Sequence, residues 1–119
     1  MGLDQHMMKR IQNNAGEGDT IEIAYWRKVR HIQNWMEEKW REEGNTNSFN
    51  CEFFTMTHDL LAELEEDVKN LNIHQYDRTG FFYGDYDFSE EDKEYLLDTI
   101  GKCHEAIDQG YHVYYDSSW

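Results

Sequence analysis

Basic residues are scarce in this chain. Lys and Arg number 11 against 25 Asp and Glu in 119 residues, a formal charge of −14. Such a surface repels nucleic acid and anionic membrane over most of its area and is drawn to basic surfaces. Cysteine is scarce as well. Cys51 and Cys103 are too few for a disulfide framework, and an intracellular protein with reduced thiols is expected. No apolar run reaches the ~18 residues that a membrane span needs. The opening MGLDQHMMKR lacks the apolar stretch of a secretory signal. The motifs of catalysis are missing too: GxSxG, the P-loop and GxGxxG do not occur. Cys103 and His104 are neighbours on a predicted helix and point about 100° apart, so they cannot pair directly as nucleophile and base. No enzyme is expected.

What the chain does have is rings. Aromatics make up 15% of it against a hydrophobic total of 39%, so a few large side chains should build the core. The length suits one domain, residues 1–119. Residues 1–12 read as an extended segment, and NNAGEGDT (13–20) as a turn. A helix is predicted over about 21–43. Tyr25, Val29, Ile32, Met36 and Trp40 form its stripe, Asp19 or Thr20 caps its start, and GNTN (44–47) stops it. NCEFFT (50–55) is a strand candidate. A second helix, about 58–71, has Thr57 as N-cap and Leu61, Leu64, Val68 and Leu71 as its stripe. A third, about 90–108, opens with Ser89 and Asp92 as a capping box. It carries Leu96, Ile100, Cys103 and Ile107 inward and stops at Gly110. The tail YHVYYDSSW is a strand with Tyr111, Val113 and Tyr115 on one face. The expected fold is α+β: three helices packed against a small antiparallel sheet that includes the N- and C-terminal strands.

The segment AYWRKVRHIQNWMEEKW (24–40) runs against the overall charge. With Arg41 it holds five of the eleven bases, and it holds three of the four tryptophans. As a helix it places Arg27, Arg30 and Gln33 or Asn34 away from the apolar stripe. Glu22, Glu37, Glu38, Glu42 and Glu43 are at hand as ion-pair partners, so the segment mainly builds the fold. The functional alternative is an anion site. Arg27, Lys28 and His31 would hold a nucleotide or phosphate, with Trp26 stacking on its base.

MGLD at the start, YWRK with a tryptophan nine positions after the first, TGFFYG near residue 80 and the YYDSSW end together resemble a family of small proteins. These occur in bacteriophages, prophages and bacterial genomes. Where this chain has Ile32, Gln33, Asn34 and Trp35, members often read IHNW or IHKW. Where it has Phe81, Phe82, Tyr83 and Gly84, they often read FFFG. The resemblance covers most of the chain and implies phage biology. It carries no activity onto individual residues.

The acid run DYDFSEEDKEYLLD (85–98) has seven Asp or Glu among fourteen residues and one Lys. Glu90, Glu94 and Asp98 repeat every four residues and line one helix face about 6 Å apart. Asp59, Glu63, Glu66 and Asp67 extend the charge on the preceding helix. Beside them sits GFFYGDYDF (80–88). The candidate partner-binding residues are therefore Phe82, Asp85, Tyr86, Asp87, Glu90, Glu91, Glu94 and Asp98, with Trp119 as a further aromatic anchor. Such a ridge can occupy a groove that ordinarily holds nucleic-acid phosphates. The expected function is inhibition of a host nucleic-acid-handling defence machine, anti-CRISPR-like, in the bacterial cytoplasm. An assembly accessory that dimerises through the aromatic loop is a further alternative. No cofactor is expected, and no metal. Asp85, Asp87 and Ser89 match the start of a calcium loop, but Glu90 and Leu96 stand where Gly and Glu are required. Cys51, Cys103, His58, His104 and His112 show no zinc spacing.

Overall fold

Both chain ends are strands, and they pair. The computed structural model describes residues 2–11, 20–76 and 88–119. Within them the order is β1 (Asp4–Ile11), β2 (Thr20–Arg27), α1 (Arg30–Glu42), β3 (Phe53–Thr55), α2 (His58–Lys69), a short 3₁₀ turn (Asn72–Tyr76), α3 (Glu90–Asp108) and β4 (Tyr111–Ser118). The sheet order is β2-β1-β4-β3, and every pairing is antiparallel. The fold is α+β, with three helices and a four-stranded sheet among the described residues.

Alternation assigns the two faces of the sheet. Met7 pairs with Ala24 on one side and Tyr115 on the other, and Phe54 continues that row. All four are buried in the cluster that also holds Ile32, Trp35, Met36, Leu61, Leu64, Leu96 and Ile100 from the helices. The helices therefore pack on that face. The opposite face carries Asp4, His6, Met8, Asp116 and Phe53, which are half-buried or exposed.

Residues 20–27 correct the sequence expectation. They form the edge strand β2 and not the first two turns of a helix. Ala24 and Trp26 point inward while Tyr25 is 42% exposed, so Tyr25 does not share a stripe with Val29. The stretch satisfies either period, and pairing with β1 selects the strand. The register slips between Met7 and Met8, leaving Ile23 as the extra residue of a bulge. Lys28, at φ 60, then turns the chain out of the strand, and its N–H donates to the carbonyl of Leu3 at 2.9 Å.

Gln5 sets where α1 begins. Its Nε2 donates to the carbonyl of Val29 at 3.0 Å, and its Oε1 accepts from the N–H of Val29 at 2.9 Å. A side-chain amide thus stands in for a backbone partner at the N-cap, where Val29 has no side-chain oxygen to offer. From there Ile32, Met36 and Trp40 face the core as expected, and Trp35, which flanks that stripe, is fully buried with them.

The remaining elements follow local chemistry closely. The hydroxyl of Thr57 accepts from the N–H of Leu60 and caps α2. Ser89 and Asp92 form a reciprocal capping box on α3. Gly110 ends α3 at φ 93, a backbone angle that an L side chain rarely adopts. Leu71 departs from its expected stripe. It lies past the end of α2 at φ 63 and is 52% exposed.

Candidate interaction surface

The acid face of α3 is built on a fixed start. The capping box ties down the first turn, and Glu90, Glu91 and Asp92 sit where the helix dipole favours negative charge. Leu96, Thr99, Ile100, Cys103 and Ala106 anchor the inner side. Glu90, Glu91, Glu94 and Asp98 are all exposed on the outer side. Of these four, Asp98 is the one with an ion-pair partner among the described residues, Lys102 at 3.2 Å. The other candidate residues, Phe82, Asp85, Tyr86 and Asp87, lie outside the described residues. So does the start of the calcium-loop match.

The acids of α2 divide into two groups. Asp59, Glu63 and Glu66 are exposed. Glu63 lies 3.7 Å from Lys39 of α1. Asp67 is not part of an outer ridge: its Oδ2 accepts from Trp35 Nε1 at 2.8 Å, and its Oδ1 takes Asn72 Nδ2 at 3.5 Å. It holds the α1 tryptophan to α2. Both oxygens of this half-buried carboxylate have donors.

The residues of the alternative anion site fall on different elements. Arg27 is exposed at the end of β2, and its guanidinium lies over Gly2, 3.3 Å from where a Cβ would stand. Lys28 is in the turn. His31 and Trp26 are 2% and 4% exposed. The His31 ring packs on Phe88 with centroids 5.3 Å apart, and the Trp26 and Tyr95 rings meet in a T-shaped contact with centroids 5.7 Å apart. A base cannot stack on Trp26 without displacing core. The bases of α1 do pair with acids, as Arg41 with Glu37 at 2.9 Å and Lys39 with Glu42 at 3.5 Å. Glu22, expected to pair with bases of its own helix, instead meets His6 of β1 at 2.8 Å. One open concavity of about 480 Å³ suits an anion poorly, being lined by Glu37, Glu38 and Glu42 against Arg41 alone, with Asn34.

Sequence reasoning missed a buried polar lattice. Gln33, placed by periodicity on the outer face, is 1% exposed, and Gln5 is fully buried. The hydroxyl of Tyr115 donates to Gln33 Oε1 at 2.7 Å and accepts from Gln5 Nε2 at 2.9 Å. The alternation of β1 and β4 carries part of this signal, since both put Gln5 and Tyr115 on the inner face. Nothing local marks Gln33. Trp119 is half-buried and packed against the core. Its backbone N–H donates to Asn50 Oδ1 at 3.0 Å, and its carbonyl accepts from Asn50 Nδ2 at 3.1 Å.

Cys103 is fully buried, and desolvation pushes its thiol up to about 12, far from a nucleophile's range. Cys51 is exposed. Among the described residues, no group of three or more His, Cys, Asp or Glu is arranged to hold a metal ion, and no helix is long and apolar enough to cross a membrane. No family model, curated protein or solved structure matches the chain.

Proposed function

We propose that the chain is a non-enzymatic, phage-type binding protein that docks its α3 acid face into the basic nucleic-acid groove of a host protein. The target class is a bacterial defence machine that handles nucleic acid, and the site of action is the host cytoplasm. The observation that carries this reading is the exposed row Glu90, Glu91 and Glu94, which no base among the described residues neutralises. Carboxylates left unpaired on a capped, core-anchored helix keep their spacing without a partner. Little backbone freedom is then lost on binding, and complementary charge speeds encounter. Residues 80–87 adjoin this face in sequence, and their rings would serve as anchors. The phage context comes from the resemblance of MGLD, YWRK, TGFFYG and YYDSSW.

The test is capture of partners from lysate of a bacterial host, with elution by stepped salt. A basic nucleic-acid enzyme released as salt rises is the expected result. The combined variant Glu90→Lys, Glu94→Lys and Asp98→Lys should abolish capture while melting within a few degrees of the parent. Capture that ignores both salt and charge reversal would falsify groove occupation.

A further inference from the structure

Two histidines far apart in sequence meet where α2 begins and α3 ends. His58 Nδ1 lies 2.6 Å from His104 Nδ1. The ring planes differ by 8° and the centroids stand 4.9 Å apart. With the nitrogens so much closer than the centroids, the rings meet edge to edge, nitrogen facing nitrogen, and do not overlap face to face. His58 Nε2 lies 3.0 Å from Asp108 Oδ1. That carboxylate fixes the proton of neutral His58 on Nε2 and leaves its Nδ1 lone pair aimed at His104.

We propose that His58 and His104 form a two-histidine site for a borderline divalent transition-metal ion, such as Zn²⁺ or Ni²⁺, with Asp108 as the outer carboxylate that orients His58. The inference is independent of the acidic docking reading. Imidazole suits these ions. A carboxylate on the far nitrogen of a ligating imidazole is the usual support for such a ligand and raises its basicity. In the neutral pair, His104 Nδ1–H donates to His58 Nδ1. On binding, the ion takes both Nδ1 lone pairs and the His104 proton passes through solvent to its Nε2, so the net charge of the two imidazoles is unchanged.

Binding needs both a separation and a swing of the rings. Two nitrogens at about 2.05 Å from a tetrahedral ion stand about 3.3 Å apart, so the nitrogens must part by under an ångström, and each ring must turn by about 35° to bring its head-on lone pair to the tetrahedral angle. His58 and Asp108 side chains are 46% and 72% exposed, which leaves room for that motion and for water at the remaining positions. His104 and Asp108 lie one turn apart on α3, so one helix supplies both the second ligand and the outer carboxylate. His6 and His112 are committed elsewhere, to Glu22 at 2.8 Å and to Thr55 at 3.0 Å.

The full chain, stripped of metal, is titrated at about pH 7.5 with Ni²⁺ or Zn²⁺ alone, and in parallel with Mg²⁺ and Ca²⁺. Calorimetry should give one equivalent. The melting midpoint should rise by roughly 4 °C or more at a hundredfold excess over Kd. His58→Ala and His104→Ala should each remove the binding, and Asp108→Asn should weaken it about tenfold or more. Binding is read well below each variant's own metal-free midpoint, so loss of fold cannot pass for loss of site. Three results overturn the proposal. One is an equal response to Mg²⁺ or Ca²⁺, which marks diffuse carboxylate binding. Another is full retention of binding in His58→Ala or in His104→Ala. The third is no binding of Ni²⁺ or Zn²⁺ by the parent chain.

Discussion

The hydroxyl of Tyr115 donates to the side-chain oxygen of Gln33, 2.7 Å away and 82 residues earlier in the chain. The same oxygen of Tyr115 accepts from Gln5. One phenol therefore joins the central strands β1 and β4 to the first helix. Removing it leaves two buried amide groups short of a partner. Tyr115→Phe should lower unfolding free energy by about 2 kcal/mol, mostly through those orphaned groups and little through lost volume. Urea denaturation at unchanged m-value checks this. A loss under about 0.5 kcal/mol would show that the lattice contributes no net stability.

Asp67 and Glu94 separate two uses of a carboxylate. Asp67 holds Trp35 Nε1 at 2.8 Å, whereas Glu94 is exposed. Asp67→Ala should cost about 2 kcal/mol of stability and leave salt-sensitive partner capture intact. Glu94→Lys should do the reverse. Equilibrium unfolding and capture measured on both variants form a two-by-two comparison, and a shared phenotype would dissolve the distinction.

The two thiols should react very differently. Cys51 is exposed, while Cys103 is buried with its thiol raised to about 12. A thiol reagent at about pH 8 should modify one cysteine in the native chain and two in urea, with Cys51→Ser removing the native reaction. Rapid labelling of both in the folded protein would mean that α3 opens readily.

Asp116 provides a pH signature. Burial raises its carboxyl above the ordinary value of 3.8, and His6 works against the rise. A carboxyl with a raised folded pKa binds its proton more tightly folded than unfolded. Its contribution is therefore fully present below the ordinary value and lost as pH rises through the raised one. At neutral pH the ionised form is a small liability. Asp116→Asn should raise the urea midpoint slightly at about pH 7, with the gain shrinking to nothing near about pH 3. Solvent screening keeps the effect modest, since the side chain is part exposed. A variant less stable than its parent at neutral pH would point instead to the His6 attraction as the larger effect.

The caps of α2 and α3, the stop at Gly110 and the inward stripes of Leu61, Leu64, Val68, Leu96, Ile100 and Cys103 were legible in the chain. Each depends on residues within a few positions of one another, so local pattern carries it. The strand at 20–27 was not legible. IEIAYWRK fits a helix stripe through Tyr25 and Val29 as well as a strand alternation through Ala24 and Trp26. The choice belongs to β1, which is remote in pattern though near in space.

The exposed acids of α3 followed from sequence, because a four-residue repeat on an amphipathic helix puts them outward wherever the helix packs. That Asp67 is committed to Trp35, that Gln33 is interior, and that His58 meets His104 did not follow. Each joins elements whose relative placement only the packed core decides. The charge, the caps and the apolar stripes of α2 and α3 can be read from the residues alone, since those depend on neighbours along the chain. The tertiary structure decided which polar groups face one another, since long-range contacts are set by how whole elements bury their apolar faces together.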